Sequence, residues 1–304
     1  MNKKIISFIA VLSIFALTGC NEVSTSISSI EEVTSQEVPS QEVTSEEVTS
    51  EEESSFTNGF PNNPDLSETA EDYYEVMDFT LDDVSVLKTD LGALINDHTD
   101  VGYDGIKNVF KTSDVKADGT VWDIYSDTSY SFDEGYHSSY TSEGESFNRE
   151  HTVPQSWFNE KQPMRSDAFH LYPSDGKVNG LRSNYEYGNV VKATYTSTNG
   201  CMLGSDSRGT TIFEVCDEYK GDIARSYFYM ATCYEDIAGN WGHSFSNDNY
   251  TKLSDYTLGI MLDWAENDPV SQKEIDRNNA IYACQHNRNP YIDYPGLDLY
   301  IFGI

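Results

Sequence analysis

The sequence contains few basic residues. Lysine and arginine together number 19 among 304 residues, against 51 aspartates and glutamates, and the formal net charge at pH 7 is −32. A protein that holds a polyanion passively needs a positively charged footprint, so this composition argues against such a binder. It is compatible with an enzyme that binds phosphate through a metal ion.

The negative charge is unevenly distributed. Ten glutamates lie between Glu22 and Glu53, whereas residues 149–225 hold nine basic and ten acidic residues, a net charge of −1. Aromatic residues make up 13% of the chain, which excludes a wholly disordered protein. The near-neutral segment 149–225 is therefore the part of the chain that best suits a site binding an anion.

The N-terminal apolar run, Ile5–Leu17, is too short for a comfortable membrane span. It follows two lysines and leads into Leu-Thr-Gly and then Cys20, the pattern of a cleaved export signal. A cysteine in this setting resembles the bacterial lipobox, which implies that residues 1–20 are a lipoprotein signal peptide and that Cys20 is lipidated. An ordinary secretory signal is the alternative. The protein is predicted to be exported and to touch the membrane only through its lipid anchor.

Residues 21–67 are predicted to be a disordered tether. A five-residue unit rich in serine, threonine and glutamate repeats over residues 30–54, and no aromatic or basic residue occurs between the signal and Phe56. Such a segment cannot bury enough apolar surface to offset the entropy lost on ordering. An adhesive or glycosylated stalk is the alternative to a plain spacer.

Cysteines are also few, five in all. The four beyond Cys20 form an even number in an exported chain, and no CxxC or Cys/His spacing indicates a zinc site. We therefore expect two disulfides, with the pairing left open, among Cys201, Cys216, Cys233 and Cys284.

Residues 68–304 are predicted to fold as one α+β domain, mostly helical with a little sheet. Apolar residues at helical spacing predict a helix over 84–97, and partial alternation predicts a strand over 121–125. Prolines break residues 147–173 into pieces more typical of a hairpin and a loop. Further helices are expected over 178–185, after a cap at Ser174 or Asp175, and over 220–234, 258–266 and 272–284.

The residues that could carry chemistry lie between Arg149 and Arg182. Glu150 stands beside His151, and Asn179 follows 28 residues later. Carboxylate and amide oxygens are hard ligands that suit Mg²⁺, and a neutral imidazole can take a proton from an attacking water. A metal and a base together are sufficient for hydrolysing a phosphodiester.

Five blocks of sequence resemble the bacterial endonuclease I family, which consists of periplasmic or secreted nucleases of the ββα-metal (His-Me finger) class. The resemblance covers about 120–304. The first three blocks are Arg-Glu-His-Thr-Val-Pro-Gln-Ser from Arg149, Asp-Ala-Phe-His-Leu-Tyr-Pro from Asp167 and Val-Asn-Gly-Leu-Arg-Ser-Asn from Val178. Two further blocks lie within 213–225 and 287–295.

The resemblance implies a role for each site residue. His151 would be the general base, and Glu150 and Asn179 would bind one divalent cation, with Asn184 as the runner-up ligand. Arg165 is the best-placed candidate to hold the phosphate. The implied cofactor is Mg²⁺, with Ca²⁺ and Mn²⁺ as alternatives, and the implied substrate is DNA, possibly joined by RNA, cut with little sequence preference.

Neighbouring residues carry simpler expectations. Arg149, Lys177 and Arg182 are predicted to contact substrate, although for the last two a solvent-facing role is an equal alternative. His170 is expected to be a packed structural residue.

The protein is predicted to be a monomer. Two other functions stay open: a surface binding or adhesin lipoprotein without catalysis, and a phosphatase or nucleotidase acting on small substrates.

Overall fold

The computed structural model describes residues 63–303, except 82, 134 and 138, and the backbone of two short paired strands, Phe56–Thr57 (β1) and Phe60–Pro61 (β2). The predicted signal peptide, Cys20 and most of the predicted tether lie outside these residues. None of the helices within the described part of the chain is long and apolar enough to span a membrane.

Helices and strands are both present, and the expected α+β class is confirmed. The helices are α1 (Glu68–Tyr74), α2 (Val84–Asn96), α3 (Ile106–Ser113), α4 (Gly176–Arg182), α5 (Lys220–Cys233), α6 (Glu235–Ala238), α7 (Asp255–Asn267), α8 (Gln272–Gln285), α9 (Pro290–Asp293) and α10 (Leu297–Phe302). The longer strands are β3 (Phe147–His151), β4 (Leu171–Asp175), β5 (Lys192–Thr196), β6 (Met202–Ser205) and β7 (Thr211–Glu214).

Helix α5 is the centre of the core. All its residues except Lys220 are buried, as expected for a helix packed on every side, and α2, α7 and α9 contact it. Its buried charges are paired: Arg225 binds both carboxylate oxygens of Glu274 in α8, at 2.5 and 2.9 Å, and Asp222 accepts from Lys273 at 2.8 Å. These pairs join α5 to α8 without leaving a buried charge alone.

Strands β3 and β4 and helix α4 form the expected ββα unit. The two strands are antiparallel, with Glu150 opposite Tyr172 and His151 opposite Leu171. Helix α4 begins directly after β4, because the Asp175 side chain accepts a hydrogen bond from the Val178 amide at 2.9 Å and so caps it. The predicted hairpin and cap are confirmed here, and so are the helices predicted to begin near 84, 220, 258 and 272. The helix predicted over 178–185 is present but ends at Arg182, because Ser183 has a positive φ of 52°.

The predicted strand over 121–125 is wrong. Val121 makes one isolated bridge, to Val115, and the following residues turn. The cause is Asp123, whose Oδ1 accepts from the Tyr125 amide at 2.8 Å and the Asp175 amide at 2.9 Å. An aspartate that satisfies nearby backbone amides competes with a strand ladder. The antiparallel sheet β5–β6–β7, which follows α4, was not predicted from the sequence.

The two expected disulfides are absent from the structure. Cys201, Cys216, Cys233 and Cys284 are all free thiols. The two buried thiols have acceptors of their own, since the Sγ of Cys201 lies 3.6 Å from the Ile124 carbonyl oxygen and that of Cys233 lies 3.7 Å from the Ile95 carbonyl oxygen.

Candidate active site

Strand β3 directs consecutive side chains to two different sides. Asn148 and Glu150 contact side chains of α4, whereas Arg149 and His151 both lie against the ring of Tyr103. This alternation follows from the pleat of a strand. The result is a cavity of about 210 Å³ at the junction of β3 and α4, with oxygen-bearing side chains on one side and the histidine on the other.

His151 is held in one tautomer. It is 6% exposed, and its Nε2 lies 3.1 Å from the carbonyl oxygen of Arg165. A carbonyl oxygen only accepts, so Nε2 carries the proton and Nδ1 is left with a free lone pair. Burial, together with the neighbouring His170, holds the pKa of His151 well below its usual 6.5, and the ring is therefore neutral at neutral pH.

Glu150 is buried and its contacts fall on one oxygen. Its Oε1 accepts from Tyr125 Oη at 2.8 Å and Tyr187 Oη at 3.2 Å, and it lies 2.7 Å from a guanidinium nitrogen of Arg182. Burial raises the pKa of this carboxyl, while Arg182 and the two tyrosine hydroxyls oppose that rise. Among the described residues Oε2 receives no hydrogen bond, and Glu150 lines the cavity.

Arg182 lines the cavity, but its guanidinium is bonded to groups of the protein itself. It is 1% exposed and donates to the carbonyl oxygens of His151 at 2.7 Å and Thr152 at 2.6 Å, besides pairing with Glu150. The planar guanidinium thereby fixes the end of β3 and the Glu150 carboxylate, and the expected substrate contact of Arg182 stays a prediction.

Asn179 is the better placed of the two candidate asparagine ligands. Its Nδ2 donates to Asn148 Oδ1 at 2.7 Å and to the Arg149 carbonyl oxygen at 3.1 Å. Because the carbonyl can only accept, the amide orientation is fixed and Oδ1 is the atom left for a ligand. Asn184 also lines the cavity, but it is exposed and follows the end of α4. A carboxylate and an amide oxygen are a donor set that fits Mg²⁺.

The three remaining predicted residues occupy different positions. Arg165 donates from Nε to Gln155 Oε1 at 3.0 Å, and Gln155 lines the cavity. Arg149 lines the cavity directly, with its guanidinium carbon 3.4 Å from the centre of the Tyr103 ring. Lys177 is half-buried on α4 and stands outside the residues that line the cavity.

Several residues of the site were missed at the sequence level. Tyr125 and Tyr187 donate hydrogen bonds to Glu150. The ring of Tyr103 contacts two arginines, with the guanidinium carbons of Arg149 and Arg165 at 3.4 and 4.2 Å from the ring centre. No local pattern marks these three among 21 tyrosines. His170, in contrast, is packed as expected, fully buried with Nε2 2.6 Å from the Met164 carbonyl oxygen.

Comparison with known proteins identifies related chains. Residues 84–296, which include every residue of the cavity, match the family model described as Endonuclease I. The chain is 33% identical over 218 residues to an extracellular ribonuclease of Bacillus amyloliquefaciens, covering 69% of this chain and 72% of that protein. It is 31% identical over 214 residues to an extracellular ribonuclease of Bacillus subtilis (strain 168), covering 69% and 71%. Endonuclease-1 of Buchnera aphidicola subsp. Baizongia pistaciae is 32% identical over 132 residues, covering 43% and 47%.

Proposed function

This chain belongs to the endonuclease I family and is a nuclease, and from that premise we propose that the cavity between β3 and α4 hydrolyses phosphodiester bonds with His151 as general base. The proposed substrates are DNA and RNA, cut with little sequence preference. Support for RNA comes from the two Bacillus relatives, which are named ribonucleases.

The observation that carries the proposal is the tautomer of His151. Its Nε2–H is committed to the Arg165 carbonyl oxygen, so Nδ1 is the atom that accepts a proton from an attacking water. The same cavity holds Glu150 and Asn179, and a reacting phosphate there meets a base and two oxygen ligands together.

Glu150 and Asn179 would hold one divalent cation, Mg²⁺ or alternatively Ca²⁺ or Mn²⁺. The fit rests on Glu150 Oε2 and Asn179 Oδ1, since the other polar atoms of both side chains already have partners. Such an ion supplies positive charge that stabilises the negative charge developing on the phosphate and on the leaving 3′-oxygen. It would also place positive charge at the point where a polyanion approaches this acidic protein.

The arginines have separate tasks in this proposal. Arg165 would bind the phosphate under attack, and its backbone carbonyl orients the base. Arg149, which lines the cavity and packs on the ring of Tyr103, would bind a neighbouring phosphate. Arg182 would act through Glu150 and is a positioning residue.

The proposed location is outside the cytoplasm, with the chain tethered through lipidated Cys20 and working as a monomer. The predicted export signal and the names of the extracellular relatives support the location. Radiolabelling of cells with palmitate, with Cys20→Ser as control, tests the anchor; label that persists on the variant contradicts it.

The nuclease assay uses the purified protein with plasmid DNA and with single-stranded RNA, each in Mg²⁺ and in EDTA. His151→Ala should slow degradation by about 10²- to 10⁴-fold, the usual cost of losing a general base. His286→Asn is the matched control, because His286 is exposed and remote in sequence from the cavity. If folded wild-type protein at low salt degrades neither polymer with Mg²⁺, Ca²⁺ or Mn²⁺, the proposed function is wrong; turnover of mononucleotides alone would favour a phosphatase.

A further inference from the structure

A second cavity, of about 470 Å³, adjoins the catalytic cavity. The two cavities share the side chains of Asn148 and Arg149. The remaining walls of the second cavity are two aromatic and two basic side chains, Tyr103, Tyr136, Lys107 and His137. None of these four side chains contacts the substrate in the proposed hydrolysis.

Cationic groups converge on this cavity in a chain that has few of them. Lys107, in the first turn of α3, and Arg149, on β3, point to the same space. Their counter-ion is Asp104, at 3.9 Å from Lys107 Nζ and 3.7 Å from Arg149. The Asp104 side chain is 91% exposed and its contacts are long, so a phosphate can replace it at small cost.

The aromatic side of the cavity is fixed. Tyr136 packs edge-on against the buried ring of Phe147, with ring centres 5.3 Å apart, and its backbone bridges to the same residue. Lys107 Nζ lies 4.3 Å from the centre of the Tyr136 ring. The ammonium lies over the ring, so a stacking base takes its place while the flexible lysine moves to the phosphate. An aromatic ring and a cation together are the combination with which proteins bind an unpaired base and its phosphate.

We propose that this second cavity is a nucleotide subsite. It binds the nucleotide next to the scissile phosphodiester, with the phosphate against Lys107 and Arg149 and the base against Tyr136. This inference rests on the proposed nuclease function and refines its substrate. A base inside a duplex is already stacked on both faces, so the subsite favours single-stranded nucleic acid.

The test uses single-stranded oligonucleotides in which one ordinary phosphodiester is flanked by phosphorothioate linkages, so that one cut is measured. Tyr136→Leu should raise KM about 10-fold, the usual order for a lost base stack, and change kcat less than about twofold. Tyr136→Phe keeps the ring and loses only the hydroxyl beside Arg149, so its KM should stay much closer to the wild type than that of Tyr136→Leu. Lys107→Gln should raise KM and weaken its dependence on salt.

A second measurement separates a stacking role from a structural one. Removing the base on one side of the cleavable bond should raise the KM of the wild type by a similar factor. The same substrate should leave the KM of Tyr136→Leu unchanged, because the contact is already lost. A hairpin duplex of the same sequence should be a poorer substrate than the single strand for the wild type, and the difference should shrink in Tyr136→Leu.

Matched controls come from a similar pair elsewhere. The ring of Tyr256 lies 3.5 Å from the guanidinium carbon of Arg208 and lines neither cavity. Tyr256→Leu therefore removes a cation–aromatic contact without touching the subsite, and Lys192→Gln removes an exposed charge from β5.

The outcomes are distinct. Suppose that Tyr136→Leu and Lys107→Gln keep the wild-type KM on the intact strand while His151→Ala is inactive. The proposed subsite is then refuted, and the proposed nuclease function is retained. A wild-type preference for the duplex also overturns the subsite. If the wild type cuts no strand, the proposed function itself has failed.

Discussion

Replacing Arg182 by Met tests whether this arginine positions Glu150 or binds the substrate. Arg182 is buried, pairs with Glu150 at 2.7 Å and donates to two backbone carbonyls at 2.6 and 2.7 Å. Methionine keeps an unbranched apolar stem but has no donor, so the variant leaves a buried carboxylate and two buried carbonyl oxygens without this partner. Breaking a buried ion pair in this way costs about 3–5 kcal/mol, against a total stability of about 5–15 kcal/mol for a typical domain.

The assay is urea unfolding followed by tryptophan fluorescence, since all four tryptophans are buried in the core or packed against it. Arg182→Met should lower the free energy of unfolding by about 3 kcal/mol or more. Arg208→Met is the control, because its ion pair with Asp206 leaves the arginine side chain 45% exposed and should be worth less than about 1 kcal/mol.

A direct contact between Arg182 and phosphate makes the opposite prediction. In that case Arg182→Met would keep wild-type stability and raise KM. The positioning role would therefore be refuted if Arg182→Met lowered the unfolding free energy by less than about 1 kcal/mol and raised the KM for nucleic acid. The double variant with Glu150→Gln adds a check, since two directly coupled residues should show a non-additive loss of stability.

Three further predictions concern the metal, the arginines and pH. Asn179→Leu should weaken Mg²⁺ binding in calorimetry and Asn184→Leu should not; the reverse result would move the ligand to Asn184. Tyr103→Leu should raise KM about 10-fold or less, the range of one or two cation–aromatic contacts, with wild-type kcat at saturation; a lowered kcat with normal KM would contradict it. Burial raises the pKa of Asp123 from 3.8 to about 7, so the folded state keeps a proton that the unfolded chain releases. Stability in urea should therefore fall as pH rises from about 4 to 7, by up to about 4 kcal/mol, and Asp123→Asn should flatten that slope; an unchanged slope would be the contrary result.

The helices could be predicted because their signals are local. The apolar spacing of α2, the Asp175 cap of α4 and the prolines between β3 and β4 all act within a few residues of where they stand. The same locality explains the error at 121–125. Asp123 accepts from the Asp175 amide, 52 residues away, and no pattern around 121 records that partner.

The candidate site divides in the same way. Glu150, His151 and Asn179 stand in motifs that are legible in the sequence, so the sequence by itself determined the family and named the residues that we propose as base and metal ligands. Tertiary structure alone decided that Arg182 pairs with Glu150, that Nε2 of His151 is bonded to the Arg165 carbonyl oxygen, and that Tyr103 and Tyr136 line the second cavity. The physical reason is that residue type fixes which bonds a side chain can make, whereas burial and orientation depend on partners that only folding brings close.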